Sequence, residues 1–299
     1  MSRKGIGFSQ LPGLQFPARR RINRSRAGNM LVILFLLFCG TFTALPMWFA
    51  LITALKPLNE LWLYPPNLLF VRQPSLRNYA DLFLLMSESW VPFTRYVFNS
   101  IFITVAGTAG NVIFSSMCAY PLAKKRFPGS RIYFRIIVFS LMFTQTVTSL
   151  PAYQIMSGLG WIDTYFALLV PAFAMPLGLY LMRQFMLSIP DSILESGRID
   201  GAGEWKLFWI LLMPQVKPAW LTVIIFSMQG LWNMASSNYI YREELKTLPY
   251  ALGQIVTAGF ARAGVGAAAT VLVMIVPISV FIFAQSNVVV TMASSGIKE

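Results

Sequence analysis

Asp191, Glu195, Asp200 and Glu204 fall in one short stretch with Gly197, Gly201 and Gly203, and they make up four of the chain's 11 acidic residues. Carboxylates beside bare backbone offer charge to an arginine on another protein and let that protein approach closely. They do not make an acid/base centre. The chain contains no histidine, which removes imidazole catalysis, imidazole pH switching and most catalytic zinc sites. Its 2 cysteines, Cys39 and Cys118, lie apart within apolar runs, so neither a disulfide framework nor a metal cluster is expected. There is no nucleophile constellation and no Gly-x-x-x-x-Gly-Lys-Ser/Thr phosphate loop. An enzyme is therefore not expected; docking is the chemistry that the acidic stretch suits, with an interfacial hairpin packing on its own bundle as the alternative.

A second set of candidates is neutral. Asn99, Ser100, Thr104, Asn111, Thr144, Gln145, Thr146, Gln229, Trp232 and Asn233 lie in or beside apolar runs that hold no carboxylate or lysine. Amides, hydroxyls and aromatic faces suit a neutral polyhydroxylated solute, because they exchange hydrogen bonds without desolvating a charge. Asn99, Gln145, Gln229, Trp232 and Asn233 are the candidates for its path. The same groups equally suit hydrogen bonding between helices. Without a carboxylate or a lysine inside these runs, there is no group to protonate in coupling transport to protons or sodium. A third set, Tyr241, Arg242, Phe260 and Arg262, belongs to a loop between apolar runs and is expected to meet an outer partner.

The elements that must position these residues follow from composition. Of 299 residues, 56% are hydrophobic and only 12% charged, with a mean hydropathy of +0.62, far from a soluble domain. A bilayer needs about 20 apolar residues per helix, and such runs occur at about 30–55, 96–123, 132–150, 164–182, 218–236 and 263–285. This predicts an all-α integral membrane protein with six spans and both termini on one side. Arg3, Lys4, Arg19, Arg20, Arg21, Arg24 and Arg26 precede the first run, and Lys124, Lys125, Arg126 and Arg131 follow the second. By the positive-inside rule that side is cytoplasmic, so the net charge of +13 is topological and no nucleic-acid face is expected. The basic tail 1–29 reads as surface-lying over anionic lipid, and the first run as a retained anchor rather than a cleaved signal.

The membrane domain, 30–299, carries a long cytoplasmic loop at 184–217. Pro190 and Asp191 make a helix start and Gly201 a stop. A second helix is expected from about Ala202, with Trp205, Phe208, Trp209 and Leu212 on one face, until Pro214 breaks it. On the outer side, prolines between Lys56 and Arg95 predict an irregular loop with an amphipathic stretch near 76–86, and an apolar helix-like run covers 250–260.

Glu195, Asp200-Gly201-Ala202 and Pro214 match the loop pattern of binding-protein-dependent ABC importer permeases, and Arg198 to Trp205 looks like its carbohydrate-uptake branch. Leu55-Lys56-Pro57, Leu76-Arg77-Asn78-Tyr79, Asn99-Ser100, Ala119 to Ala123, Lys217-Pro218-Ala219 and Trp232-Asn233 extend the resemblance over nearly the whole chain. Ser196 and Gly197 stand where the family has alanines, Leu211 and Met213 replace its customary Ile and Leu, and Met234 replaces an aspartate. The resemblance implies a type I ABC importer permease fold and a subunit of a sugar or oligosaccharide importer. It implies ATPase coupling through Glu195, Ser196, Gly197, Asp200, Gly201, Ala202 and Pro214, with Glu195 paired to a base. It implies a second permease subunit in a heterodimer, two cytoplasmic ATPases holding ATP and Mg while this chain binds no cofactor, and an extracytoplasmic solute-binding protein. The location implied is a bacterial or archaeal cytoplasmic membrane. The alternative is an ATP-independent carrier or facilitator for a neutral polar solute, which would work alone.

Overall fold

The computed structural model describes residues 26–64, 67–87, 90–234, 239–256 and 262–295, and every regular element among them is helical. Two compact units divide the chain, one ending at Trp48 and one beginning at Phe49. The basic tail up to residue 25, and Phe260, lie outside the described residues. Helix α1 (Arg26–Leu55) is apolar all round, and Met30 to Phe38 are exposed without exception. Such a helix needs lipid as its solvent.

In the second unit the short α2 (Leu58–Leu61) and α3 (Arg77–Ser87) lead to α4 (Phe93–Lys124). Then come α5 (Ser130–Ser140), α6 (Gln145–Gly158), α7 (Phe166–Phe173) and α8 (Pro176–Ser188). Helix α9 (Asp191–Ile199) precedes α10 (Glu204–Lys206), a π-helical segment Leu207–Leu212, α11 (Met213–Gln215) and α12 (Lys217–Trp232). A 3₁₀ turn at Glu243–Leu245, α13 (Leu248–Val256) and α14 (Ala263–Ser295) complete the order.

Helix α4 is the axis, packing on α7, α8, α12 and α13. Its buried face is small and polar rather than oily. A Cβ at Gly107 would stand 2.6 Å from Leu231 Cδ1 and 3.3 Å from Ala172 Cβ, so the bare backbone there makes room for the Leu231 side chain of α12. One turn on, Asn111 Nδ2 donates to Ser227 Oγ at 2.5 Å and Ser115 Oγ donates to Asn111 Oδ1 at 2.7 Å, a polar tie that suits a core without water. Two apolar clusters flank this seam. At the end where α4 finishes, Met182, Met186, Leu194, Leu207, Leu212 and Val216 are buried together; this is the motif end. At the far end, Leu82, Met86, Val91, Tyr96, Leu252 and Ala268 pack together.

Among the described residues, four helical stretches are long and apolar enough to cross a membrane, Ala27–Leu55, Phe93–Lys124, Phe166–Ser188 and Ala263–Phe283, and Glu204–Gln215 with Lys217–Trp232, bent by 78°, passes only when the two are taken together. The expected run 132–150 is not one helix. The chain leaves α5 at Leu141 and restarts behind Thr144, whose ψ of 152° is extended, and α6 then continues to Gly158. The amphipathic stretch near 76–86 is α3, whose Asn78 Nδ2 donates to Ala54 O at 2.8 Å and Lys56 O at 2.7 Å.

Pro214 does not end the second loop helix. It lies inside α11, and the break comes at Val216 (φ −93°, ψ 22°). A proline removes one helical donor and crowds the carbonyl a turn earlier, and the wider π register of 207–212 just before it takes up that mismatch. The same widening undoes the expected single face: Phe208 and Leu212 are buried, whereas Trp205 and Trp209 are exposed.

Candidate functional site

Helix α9 starts as its residues dictate, with Pro190 extended (ψ 137°) and Asp191 in the first turn, at the positive end of the helix dipole. It ends in a Schellman cap. Ala202 N–H donates to Gly197 O at 2.9 Å and Gly201 N–H to Arg198 O at 3.0 Å, with Gly201 at φ +78°. Leu194 and Gly197 face inward. A Cβ at Gly197 would lie 2.6 Å from both Leu207 Cδ2 and Leu211 Cδ1. Gly197 therefore serves packing of the loop on itself, not approach by another protein. Gly201 and Gly203 are exposed, with open space where a Cβ would stand.

The four acids divide into two kinds. Asp191 Oδ1 accepts from Lys124 Nζ at 2.7 Å, a lysine whose side chain is only 3% exposed, and Lys124 also donates to Ile189 O. The Lys124 hydrogen bond and charge hold the Asp191 carboxyl below the usual carboxylate range. Glu204 accepts from the Tyr120 hydroxyl at 2.6 Å and pairs with Lys125 at 3.1 Å and Arg198 at 3.5 Å. Tyr120, Lys124 and Lys125 all come from the end of α4, so both ends of the loop are strapped to that helix. Sequence reading treated these lysines only as topological charges and missed the anchoring. Glu195 and Asp200 are exposed, and among the described residues neither has an ion pair. One turn after Glu195, Ile199 is 85% exposed. Ser196 bonds its own helix at Ile193 O.

The neutral candidates separate as clearly. Asn99 is 0% exposed, donating from Nδ2 to Glu244 O at 2.8 Å and Lys246 O at 2.9 Å while Oδ1 accepts from the Tyr165 hydroxyl at 2.7 Å. Its amide fastens the far-end loop to α4 and has no face left for a solute. Trp232 is likewise buried, its indole N–H donating to Val273 O at 2.9 Å. Gln229 on α12 and Asn233, the residue that caps its C-terminus one turn later, are both exposed, with Gly230 beside Gln229. The Gln145 side chain lies outside the described residues.

At the far end, Tyr241 and Arg242 are exposed and organised by an unexpected residue. Asp163 adopts φ 58°, which aspartate tolerates better than most residues, and its Oδ1 accepts both the Tyr241 N–H at 2.6 Å and the Arg242 N–H at 2.9 Å. The Arg242 backbone hydrogen bond is the largest cause holding the Asp163 carboxyl below its ordinary range. Arg262 is exposed just before α14.

Residues 18–291 match the family described as "Binding-protein-dependent transport system inner membrane component". The chain is 33% identical over 205 residues to Protein LplC of Bacillus subtilis (strain 168), covering 67% of this chain and 65% of LplC. It is 27% identical over 271 residues to the arabinooligosaccharides transport system permease protein AraQ of the same organism, covering 89% of this chain and 94% of AraQ. The crystal structure of a bacterial ABC transporter that imports the acidic polysaccharide alginate holds a chain of the same fold, with a TM-score of 0.75 at 24% identity over 88% of this chain and 98% of that one. Helix content, loop motif and family match agree: the chain belongs to the inner membrane components of binding-protein-dependent transport systems, the multi-pass and non-enzymatic permease subunits of ABC importers.

Proposed function

We propose that this chain forms half of the translocation pathway of an ATP-driven importer of a sugar or oligosaccharide in a bacterial or archaeal cytoplasmic membrane. The observation that carries the coupling is the division among the loop acids. Asp191 and Glu204 are engaged within the chain, whereas Glu195 is exposed, has no ion pair among the described residues and lies one turn before exposed Ile199. A cytoplasmic ATPase with a cationic, partly apolar cleft would receive this face, Glu195 pairing with a base and the Gly201 corner admitting its backbone. ATP and Mg belong to two such partner subunits, and this chain binds neither. A second, non-identical permease completes the pathway.

Six spans follow if α5 with α6 counts as a broken third crossing and α7 with α8 as the fourth, which places both termini and the basic segment 124–135 in the cytoplasm. AraQ is named for arabinooligosaccharides and the structural neighbour belongs to an alginate importer; both support a saccharide cargo. Among the described candidates, Gln229 and Asn233 are exposed and would meet it. The solute-binding protein would dock at the far end, over Tyr241, Arg242 and Arg262.

The test is uptake and ATP hydrolysis by the complete complex in proteoliposomes. Glu195→Lys is expected to abolish uptake, and reversing the facing charge on the ATPase to restore it. Wild-type uptake by Glu195→Lys overturns the coupling role. Solute flux through this chain alone, independent of ATP, overturns the importer reading in favour of a facilitator.

A further inference from the structure

One apolar slot at the motif end is used by none of the roles above. Met117, Tyr120, Trp205 and Phe208, with Glu204 at the lip, line a cavity of about 170 Å³. It lies one to two turns inside the end of α4, so in a membrane it falls at the boundary between acyl chains and headgroups. It opens onto an apolar strip, because Ile113, Phe114 and Met117 on α4 are all exposed. Trp205 is 65% exposed, an unfavourable place for indole in water and a favourable one at a membrane interface.

The rim is cationic. Glu204 is shared by Lys125 and Arg198, which leaves one positive charge unneutralised, and Lys206 follows Trp205 in α10. Lys125 Nζ also stands 5.8 Å from the ring centroid of Tyr120, which lines the slot. An apolar slot that runs towards the bilayer interior under a rim of net positive charge has the two halves of an anionic lipid as its complement.

We infer that this slot binds an anionic phospholipid, an acyl chain lying along Phe114 and Met117 against Trp205 and Phe208, with its phosphate on Lys125 and Arg198. The lipid covers the aromatic side of the loop and steadies the Lys125, Arg198 and Glu204 cluster that holds the loop to α4. The inference rests on the chain's place in a membrane and not on the identity of the solute.

The test uses the full chain with its partner subunits in nanodiscs of phosphatidylcholine doped with phosphatidylglycerol, one or the other lipid carrying brominated acyl chains. The Trp205 emission is isolated by difference from Trp205→Phe. Brominated phosphatidylglycerol is expected to quench it about fivefold more effectively per lipid than brominated phosphatidylcholine, the preference that one net cation near the surface confers. The pair Lys125→Gln and Arg198→Gln should abolish the preference, whereas Glu204→Gln, which breaks the same ion pairs but raises the net charge, should keep or increase it. Equal quenching by the two lipids overturns the site, as does quenching by neither, which would place a protein surface over the slot. Loss of the preference in Glu204→Gln as well as in the double variant also overturns it, since the effect would then follow the loop's integrity and not its charge. Saccharide uptake measured on the same complexes tests the permease reading separately.

Discussion

Replacing Gly201 by alanine isolates a backbone cost with almost no packing component. The residue sits at φ +78°, and no atom lies within 4 Å of where a Cβ would stand. The penalty is that of holding an L-residue in the left-handed region, about 1–2 kcal/mol. It falls on the Schellman cap that closes α9, so the opening of that helix should become about 5–30 times more frequent. Amide hydrogen exchange across 191–203, under conditions where it reports the opening equilibrium, measures this directly. Two companions sharpen the reading. Gly203 is equally open but extended, with φ −70° and ψ 161°, so Gly203→Ala should leave exchange unchanged. Gly201→Asn should recover part of the loss, because asparagine enters the left-handed region more readily. An α9 that exchanges at the wild-type rate in Gly201→Ala, or that loosens equally in Gly203→Ala, would refute the assignment of strain to this one dihedral.

Further outcomes follow from the contacts at both ends. Asn99→Leu strips the partners from the Glu244 and Lys246 carbonyls and the Tyr165 hydroxyl; it should cost about 2–4 kcal/mol, seen as a lowered melting temperature of the purified complex. Gly264→Ala would push a methyl to 2.5 Å from Asn78 Oδ1, on an amide already pinned by two backbone acceptors. It should destabilise by about 1–3 kcal/mol and be largely relieved in combination with Asn78→Ala, a non-additivity that a double-mutant cycle reads. Asp191 has its carboxyl held below its ordinary value of 3.8 by Lys124. Its contribution is complete above the unfolded value and is lost only as pH falls through the depressed folded one. Exchange in α9, corrected for intrinsic rates, should therefore show no dependence on this pair between about pH 5 and 8, and Asp191→Asn should reproduce the acid effect at neutral pH.

The readable parts of this chain were those set by local chemistry. Pro190, Asp191 and Gly201 delimit α9 because proline, an acid at the dipole and a left-handed glycine each have a single strong preference there. Apolar length found α1, α4 and α14 for the same reason. It could not find the interruption at Leu141–Thr144, since breaks and crossings share one composition. The tryptophan face was misjudged because a 3.6-residue period was applied to a segment wound in π register. Asn99 and Trp232 looked like solute ligands because a buried amide or indole has the same sequence signature whether its partner is a sugar or a carbonyl 145 residues away. Gly197 shows the converse: bare backbone was visible, but not that the neighbours needing the space, Leu207 and Leu211, belong to its own loop.

The straps on α4 have a mechanical consequence. One helix of 32 residues, about 48 Å long, is fastened at its end to the acidic loop through Tyr120, Lys124 and Lys125. At its beginning it is fastened to the 243–246 segment through Tyr96 and Asn99. Such a member is stiff from one fastening to the other. A tilt of about ten degrees about one end carries the other through about 8 Å, more than the pitch of a helical turn. Asn111 ties the middle of this helix to Ser227 on α12, so α12 has to tilt with α4 if their shared packing is to survive such a motion.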